Sequence, residues 1–245
     1  MKRVLLIGPI PEPTTGVSLA NKIVVEGLEK SDSFEIKTIN TSYTRFDENL
    51  GAFSLSKFFF FLKINLYVFK VFKTDIVYIT PGQTYFGLVN YLLFIVLSKM
   101  TGKDLVVHIH GNYVGTGYSM LKGFKKKVFR NLLQKTTKGI VLSESLTGNM
   151  SPFIDEDDIY VLYNFVEDYL FVDSQMIEKK SENSTPRIIF LSNLMEEKGI
   201  FELLEALKIL EESGFQYEAK IAGAIDERNR AKTEGYFEQL KNTEY

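Results

Sequence analysis

Three places along the chain combine residue types and spacings that could do chemistry. In LSNLMEEKGIFELLEAL (191–207) an apolar run feeds a loop whose Lys198 and Gly199 open an amphipathic segment. An ammonium and the first amides of a helix then aim at one spot. Together they suit a diphosphate, because a fixed cation at a positive helix end stabilises charge developing on a departing phosphate. Lys198 reads equally as an ordinary exposed lysine at a helix start. His110 lies at the end of the apolar run DLVVHIH (104–110) and precedes Gly111, which places it at the carboxyl end of a strand, where open α/β sheets bind ligands. As a lone histidine it also reads as structural, and His108, two residues back on the same strand face, reads as a hydrogen-bonded core residue. In GPIPEPTTGVSLAN (8–21), Gly16 and Ser18 open a helix whose amides could hold a phosphate. The alternative is a proline-stiffened loop that caps the helix. Ile10 and Pro13 occupy positions where G-x-G-x-x-G needs glycine, which argues against a nicotinamide or flavin enzyme.

These residues need a scaffold, and the hydropathy pattern supplies one. Short Val- and Ile-rich runs recur at 4–8, 34–40, 75–80, 104–110, 139–144 and 159–164, separated by helix-like segments at 17–30, 55–73, 85–99 and 119–135. Strands apolar on both faces and alternating with helices predict a doubly wound parallel sheet covered on both sides. The expected first domain spans 1–170. Residues 171–186 are mostly polar, end in Ser-Thr-Pro before a new apolar run, and read as a linker. A second βαβα run over 187–245 follows, its helix at 199–212 carrying Ile200, Leu203, Leu204, Leu207 and Leu210 at helical spacing. Two strands and two helices leave one sheet face and the edges poorly covered, so this unit is expected to be the first half of a domain.

The 245 residues are 45% hydrophobic and 13% aromatic, which excludes a disordered or collagen-like chain. The absence of cysteine removes disulfides and thiolate metal sites, and two histidines leave little for zinc; no metal site and no resident cofactor are expected. The longest apolar stretches fall short of the ~20 residues of a spanning helix. The formal charge of −2 conceals an asymmetry: residues 1–140 carry 19 basic and 9 acidic side chains, residues 141–245 carry 10 and 22. One half therefore meets an anion. The stretch 57–73 predicts a mostly apolar helix interrupted by Lys63, Lys70 and Lys73. The segment 121–138 predicts a helix with Leu121, Phe124, Val128 and Leu132 on one stripe, among Lys122, Lys125, Lys126, Lys127, Arg130 and Lys135. Basic amphipathic helices of this kind lie on anionic membranes, although the same lysines could be the solvated rim of a domain core. With no nucleic-acid module, nucleic acid is not an expected partner.

The order of Gly16, HG at 110–111, LSES (142–145), VLYNFVED (161–168), FLSNLMEEKGIFELLEAL (190–207) and AKIAGA (219–224) resembles family 4 of the glycosyltransferases, most strongly over 159–223. The resemblance implies the GT-B fold, two Rossmann-like domains facing each other across a cleft, here one complete domain and part of a second. It implies retaining transfer of a sugar from a nucleotide sugar to a glycan or lipid-linked acceptor in cell-surface polysaccharide synthesis, without a metal, on the cytoplasmic face of the plasma membrane. By the same resemblance Gly16 faces the donor diphosphate and His110 orients the transferred sugar. Asn164 matches the asparagine of the N-G-[VI]-D turn, Lys198 with Gly199 the K-G phosphate-binding element, and Gly223 a strand-closing glycine with a backbone role. Phe165 and Glu167 depart from that turn, and Asn193 replaces an arginine that commonly assists the lysine. The E-x7-E element that holds ribose and sugar has no counterpart in these residues. The chain is therefore expected to continue past Tyr245, or to take the missing half from another chain, and as given to bind donor weakly and transfer poorly. The alternative from another class is a non-catalytic acceptor-binding or partner-docking subunit.

Overall fold

The computed structural model describes residues 1–43, 55–166, 168–181 and 185–245, which form two units, Met1–Phe165 and Val166–Tyr245.

The first unit runs β1 (Lys2–Gly8), α1 (Gly16–Glu29), β2 (Phe34–Asn40), α2 (Leu55–Asn65), a 3-10 turn (Val68–Lys73), β3 (Ile76–Ile79), α3 (Tyr85–Val89), α4 (Leu92–Met100), β4 (Asp104–His108), α5 (Tyr113–Met120), α6 (Gly123–Leu133), β5 (Lys138–Val141) and β6 (Ile159–Val161). All six strands are parallel, in the order β2-β1-β3-β4-β5-β6. Alternate residues of β1 feed opposite faces: Leu5 and Ile7 pack with Val77, Ile79, Phe94 and Val107, while Val4 and Leu6 pack with Tyr78 and the α1 side. Two-sided burial explains why these strands read as continuous apolar runs.

Three expected helices are each broken. The 55–73 helix stops at Asn65, whose side-chain amide donates to the carbonyls of Phe61 (2.7 Å) and Asn90 (3.3 Å), so Lys63 belongs to α2 and Lys70 and Lys73 to the 3-10 turn. The 85–99 helix bends at Tyr91, whose buried hydroxyl lies 3.0 Å from that of Thr41. The 119–135 helix is interrupted before Gly123, which sits at φ +55°, a conformation that costs glycine little. Of the expected stripe, Leu121, Val128 and Leu132 pack against the core and Phe124 does not. Phe129, Leu132 and Leu133 are buried, while Phe124 is 77% exposed, because Phe129 docks between the rings of Tyr118 and Phe153.

The second unit runs α7 (Ser174–Ser181), β7 (Arg187–Leu191), α8 (Ile200–Glu212), β8 (Glu218–Ala222), α9 (Arg230–Phe237) and β9 (Thr243–Glu244). The expected linker therefore contains a helix, and the sheet gains a third strand, with β7, β8 and β9 parallel in that order. Glu211 anchors the return to β9 by accepting from the amides of Lys241 (2.7 Å) and Asn242 (2.9 Å). Leu204, Leu207, Ala219, Ile221 and Phe237 form the core of one sheet face. On the other face Ile189 and Leu191 are exposed. This is a partial Rossmann-like unit that follows a complete one in the chain.

Candidate functional site

In the first unit the strand order reverses at β1, since β2 and β3 flank β1 on opposite sides. Ligands of open α/β sheets bind outside the carboxyl ends of strands at such a switch point. Gly8 closes β1 there. A Cβ at Gly8 would lie 2.0 Å from Thr80 Oγ1 and 2.6 Å from Asn21 Nδ2, so only glycine fits. Asn21, fully buried on α1, donates to the Pro9 carbonyl (2.8 Å) and to Thr80 Oγ1 (2.9 Å), leaving its Oδ1 buried without a partner. The sequence reading missed Asn21 and Thr80. The available signal was a polar residue on the inward face of an otherwise apolar helix.

The turn into α1 is fixed by a capping box. Thr15 Oγ1 accepts from the Ser18 amide (3.1 Å), and Ser18 Oγ accepts from the Thr15 amide (2.7 Å). Ser18 is wholly buried, and its polar groups are engaged in the turn. The amides of Gly16 and Val17 have no carbonyl partner within the helix, and space beside Gly16 is open. Of the two, Gly16 is the residue a ligand could approach.

His110 lies just beyond the end of β4, which stops at His108. Its carbonyl accepts from Gln83 Nε2 (2.9 Å), and Gln83 Oε1 accepts from the Tyr113 amide (2.6 Å), so one glutamine clamps the turn after β4. A Cβ on Gly111, at φ +140°, would meet that glutamine at 2.3 Å. The rings of His108 and His110 lie against one another, tilted by 37°, with centroids 3.9 Å apart. His108 Nδ1 lies 2.6 Å from the buried Tyr78 hydroxyl. Burial pushes His110 down to about 4, and burial followed by its histidine neighbour pushes His108 down to about 3. Both rings are neutral at physiological pH, each with a buried Nε2 that has no hydrogen-bond partner among the described residues. His110 can therefore exchange hydrogen bonds with a hydroxyl but brings no positive charge.

In the second unit the loops after β7 and β8 run side by side. The Leu194 amide donates to the Ala224 carbonyl (2.8 Å), and the Asp226 amide to the Leu194 carbonyl (3.3 Å). Gly223, at φ +156°, makes this contact possible, because a Cβ there would lie 1.9 Å from the Ser192 carbonyl oxygen and 3.1 Å from the Asn193 amide nitrogen. Lys198 ends a 3-10 turn (Glu196–Lys198), and Gly199, left-handed at φ +77°, is the N-cap of α8. No side chain caps α8, so its first amides remain available. Lys198 is exposed and has no ion pair among the described residues. Asn193 is exposed beside it. A cation that sequence reading missed, Arg228, reaches the same loop from beyond β8. It is bound to Asp226 (2.5 Å) and Glu197 (3.4 Å), and those carboxylates hold its pKa above the usual guanidinium value.

The structure thus gathers Asn193, Lys198, Gly199 and Gly223 at the carboxyl edge of one sheet, and Gly16, Ser18 and His110 at that of the other. Asn164 lies in an exposed segment after β6, and Glu167 is outside the described residues. Among the described residues no cluster of three or more His, Cys, Asp or Glu side chains is placed to hold a metal. Nor is any helix long and apolar enough to cross a membrane.

No family model matches the sequence, and no curated protein matches it. Among solved structures, it is similar to UDP-GlcNAc 2-epimerase from Neisseria meningitidis bound to UDP-GlcNAc, with TM-score 0.57 and 16% identity over 99% of this chain and 71% of that one. S. aureus MnaA with UDP gives TM-score 0.60 and 11% identity over 100% and 68%. An α,α-trehalose-phosphate synthase (UDP-forming) from Burkholderia vietnamiensis gives TM-score 0.56 and 9% over 98% and 67%. These likenesses, with the two parallel sheets, make the fold GT-B-like: one complete Rossmann-like unit followed by a partial second.

Proposed function

We propose that this chain belongs to a retaining glycosyltransferase that moves a sugar from a nucleotide sugar to a glycan or lipid-linked acceptor during synthesis of a cell-surface polysaccharide. The observation that carries the reading is Lys198, an exposed cation without an ion pair among the described residues, beside the Gly199-capped and otherwise uncapped start of α8. A diphosphate there would receive one point charge and backbone amides together. The ligands bound in two structurally similar proteins, UDP-GlcNAc and UDP, support a nucleotide-sugar donor.

In this reading the departing diphosphate is stabilised by Lys198 and the amides of α8, and its oxygen takes the proton of the acceptor hydroxyl as the new glycosidic bond forms on the same face of the sugar. Asn193 and Gly223 shape the loop around the diphosphate. His110, neutral, offers hydrogen bonding without positive charge and is not a general base. The enzyme works at the inner face of the plasma membrane, with Lys122, Lys125, Lys126, Lys127 and Arg130 of α6 and Lys63, Lys70 and Lys73 facing anionic lipid.

Isothermal titration of the chain with UDP, GDP and ADP tests the donor site. Weak binding of one nucleotide is expected, reduced roughly tenfold or more by Lys198→Ala, the scale of one hydrogen bond to a charged group. Absence of binding to all three, or binding indifferent to Lys198, overturns the reading.

A further inference from the structure

The segment Leu55–Lys73 turns an apolar face outward. Phe59, Leu62, Leu66, Phe69 and Phe72 are each more than half exposed, and the rings of Phe69 and Phe72 stack on one another with centroids 6.4 Å apart. The outer side of a surface helix is ordinarily polar, and a contiguous exposed apolar patch marks a docking surface. The segment also carries Lys57, Lys63, Lys70 and Lys73 and no carboxylate. Beside this face, α2, the 3-10 turn and strand β2 enclose a recess of about 420 Å³. Thr38, Asn40, Lys63 and Lys70 give it a polar side, and Ile64 and Tyr67 an apolar one. Lys63 and Lys70 are exposed and form no ion pair among the described residues. The Lys70 ammonium stands 5.0 Å from the centroid of the Tyr67 ring. Strand β2 is the sheet edge, so its outward backbone groups face the recess side without a strand partner.

We propose that this recess binds the phosphate headgroup of an anionic membrane lipid while the aromatic face of α2 and the following turn lies in the headgroup layer. Two ammonium groups and the Thr38 hydroxyl suit a phosphodiester, and Ile64 and Tyr67 suit the first carbons attached to it. Exposed phenylalanines beside lysines match the apolar-over-anionic profile of a leaflet surface. A second copy of the chain fits poorly, because a two-fold contact through this face would set Lys63, Lys70 and Lys73 against their own copies. Helix α6 is the weaker candidate: its exposed large apolar residue is Phe124, while Lys125 and Lys126 lie over the rings of Tyr85, Phe86 and Tyr118. The recess also adjoins the first ligand-side loop, since Asn40 accepts from the Ile10 amide (3.0 Å) and donates to the Ile10 carbonyl (3.2 Å). A lipid held there sits beside the loop that leads to Gly16.

The inference rests on the membrane part of the reading above and is independent of sugar transfer, since vesicle binding and nucleotide binding are measured separately. The test is co-sedimentation of the chain with phosphatidylcholine vesicles, with and without phosphatidylglycerol. Binding to the anionic vesicles is expected. Lys63→Glu/Lys70→Glu is expected to lower the partition coefficient roughly thirtyfold, about fivefold for each lysine at the surface. Phe59→Ser/Phe69→Ser is expected to lower it at least as far, with unchanged circular dichroism because both side chains are exposed. Free glycerol phosphate at millimolar concentration is expected not to displace the protein. Equal binding to both vesicle types, wild-type binding by both variants, or displacement by glycerol phosphate overturns the proposal. A dimer seen by light scattering and abolished by Phe59→Ser/Phe69→Ser also overturns it, assigning the face to a second copy.

Discussion

The two histidines make the stability of the first unit a measurable function of pH. Both are held neutral in the folded chain, His110 at about 4 and His108 at about 3, mainly by burial, whereas in the unfolded chain they titrate near 6.5. As pH falls below 6.5 the unfolded state takes up protons that the folded state refuses, so stability is fully present above 6.5 and is lost progressively down to about 4 for His110 and about 3 for His108. Between pH 7.5 and pH 5.0 each histidine removes about 2 kcal/mol, 1.36 kcal/mol for each of the roughly 1.5 pH units below 6.5, and the pair about 4 kcal/mol. The chain has no cysteine and no further histidine, and carboxylates unfold with pKa values near 4, so little else titrates in this interval. The assay is urea unfolding followed by tyrosine fluorescence and circular dichroism at the two pH values. His108→Asn/His110→Asn is expected to flatten the dependence, and His110→Asn alone to remove about half of it. A wild-type stability constant to within about 0.5 kcal/mol over this interval, or a dependence that survives in the double variant, would falsify the placement of two neutral imidazoles in the core.

The other predictions concern backbone contacts that leave no room for a side chain. Gly223→Ala is expected to destabilise the second unit by about 2–3 kcal/mol, within the range for overpacking, because its Cβ meets the Ser192 carbonyl oxygen at 1.9 Å; thermal unfolding checks it, and an unchanged midpoint refutes the contact. Gly8→Ala is expected to cost a similar amount, and in a double-mutant cycle with Thr80→Ala the two are expected to couple by about 1 kcal/mol or more, since the new methyl collides with Thr80 Oγ1. Additive losses would remove the switch-point network. Glu211→Ala is expected to quicken amide exchange at Lys241 and Asn242 at least tenfold, because both amides donate to that carboxylate; unchanged exchange would show that β9 is held by its pairing with β8 alone.

Periodicity carried most of the first unit. The six apolar runs are the six strands, for a reason that needs no tertiary knowledge: a parallel strand covered on both faces is apolar throughout. Helix continuity was less legible. The pattern over 55–73 is apolar in almost every direction and cannot show that Asn65 ends the helix with its own side chain. The stripe proposed for this region survives only in part: Leu132 is buried and Leu121 and Val128 pack against the core, whereas Phe124 is exposed. In the second unit a two-residue strand, Thr243–Glu244, is too short for any pattern and exists through its pairing with Ala219 and Lys220.

The candidate site divides in the same way. Lys198-Gly199 and Gly16 are legible because a glycine beside a strand-to-helix junction marks a place where backbone must turn tightly, and an adjacent lysine marks charge. Sequence by itself thus determined the α/β class, the strand positions and the residue types at the loops. Only the tertiary structure decided that Asn21 and Thr80 meet at the switch point, that Arg228 reaches the Lys198 loop already bound to two carboxylates, and that His108 and His110 lie against one another as neutral rings. Each of these depends on contacts between segments distant in the chain and on the water they exclude. Burial, which sets the protonation of a histidine and the requirement for glycine at Gly8, is a property of the folded neighbourhood and not of the residue.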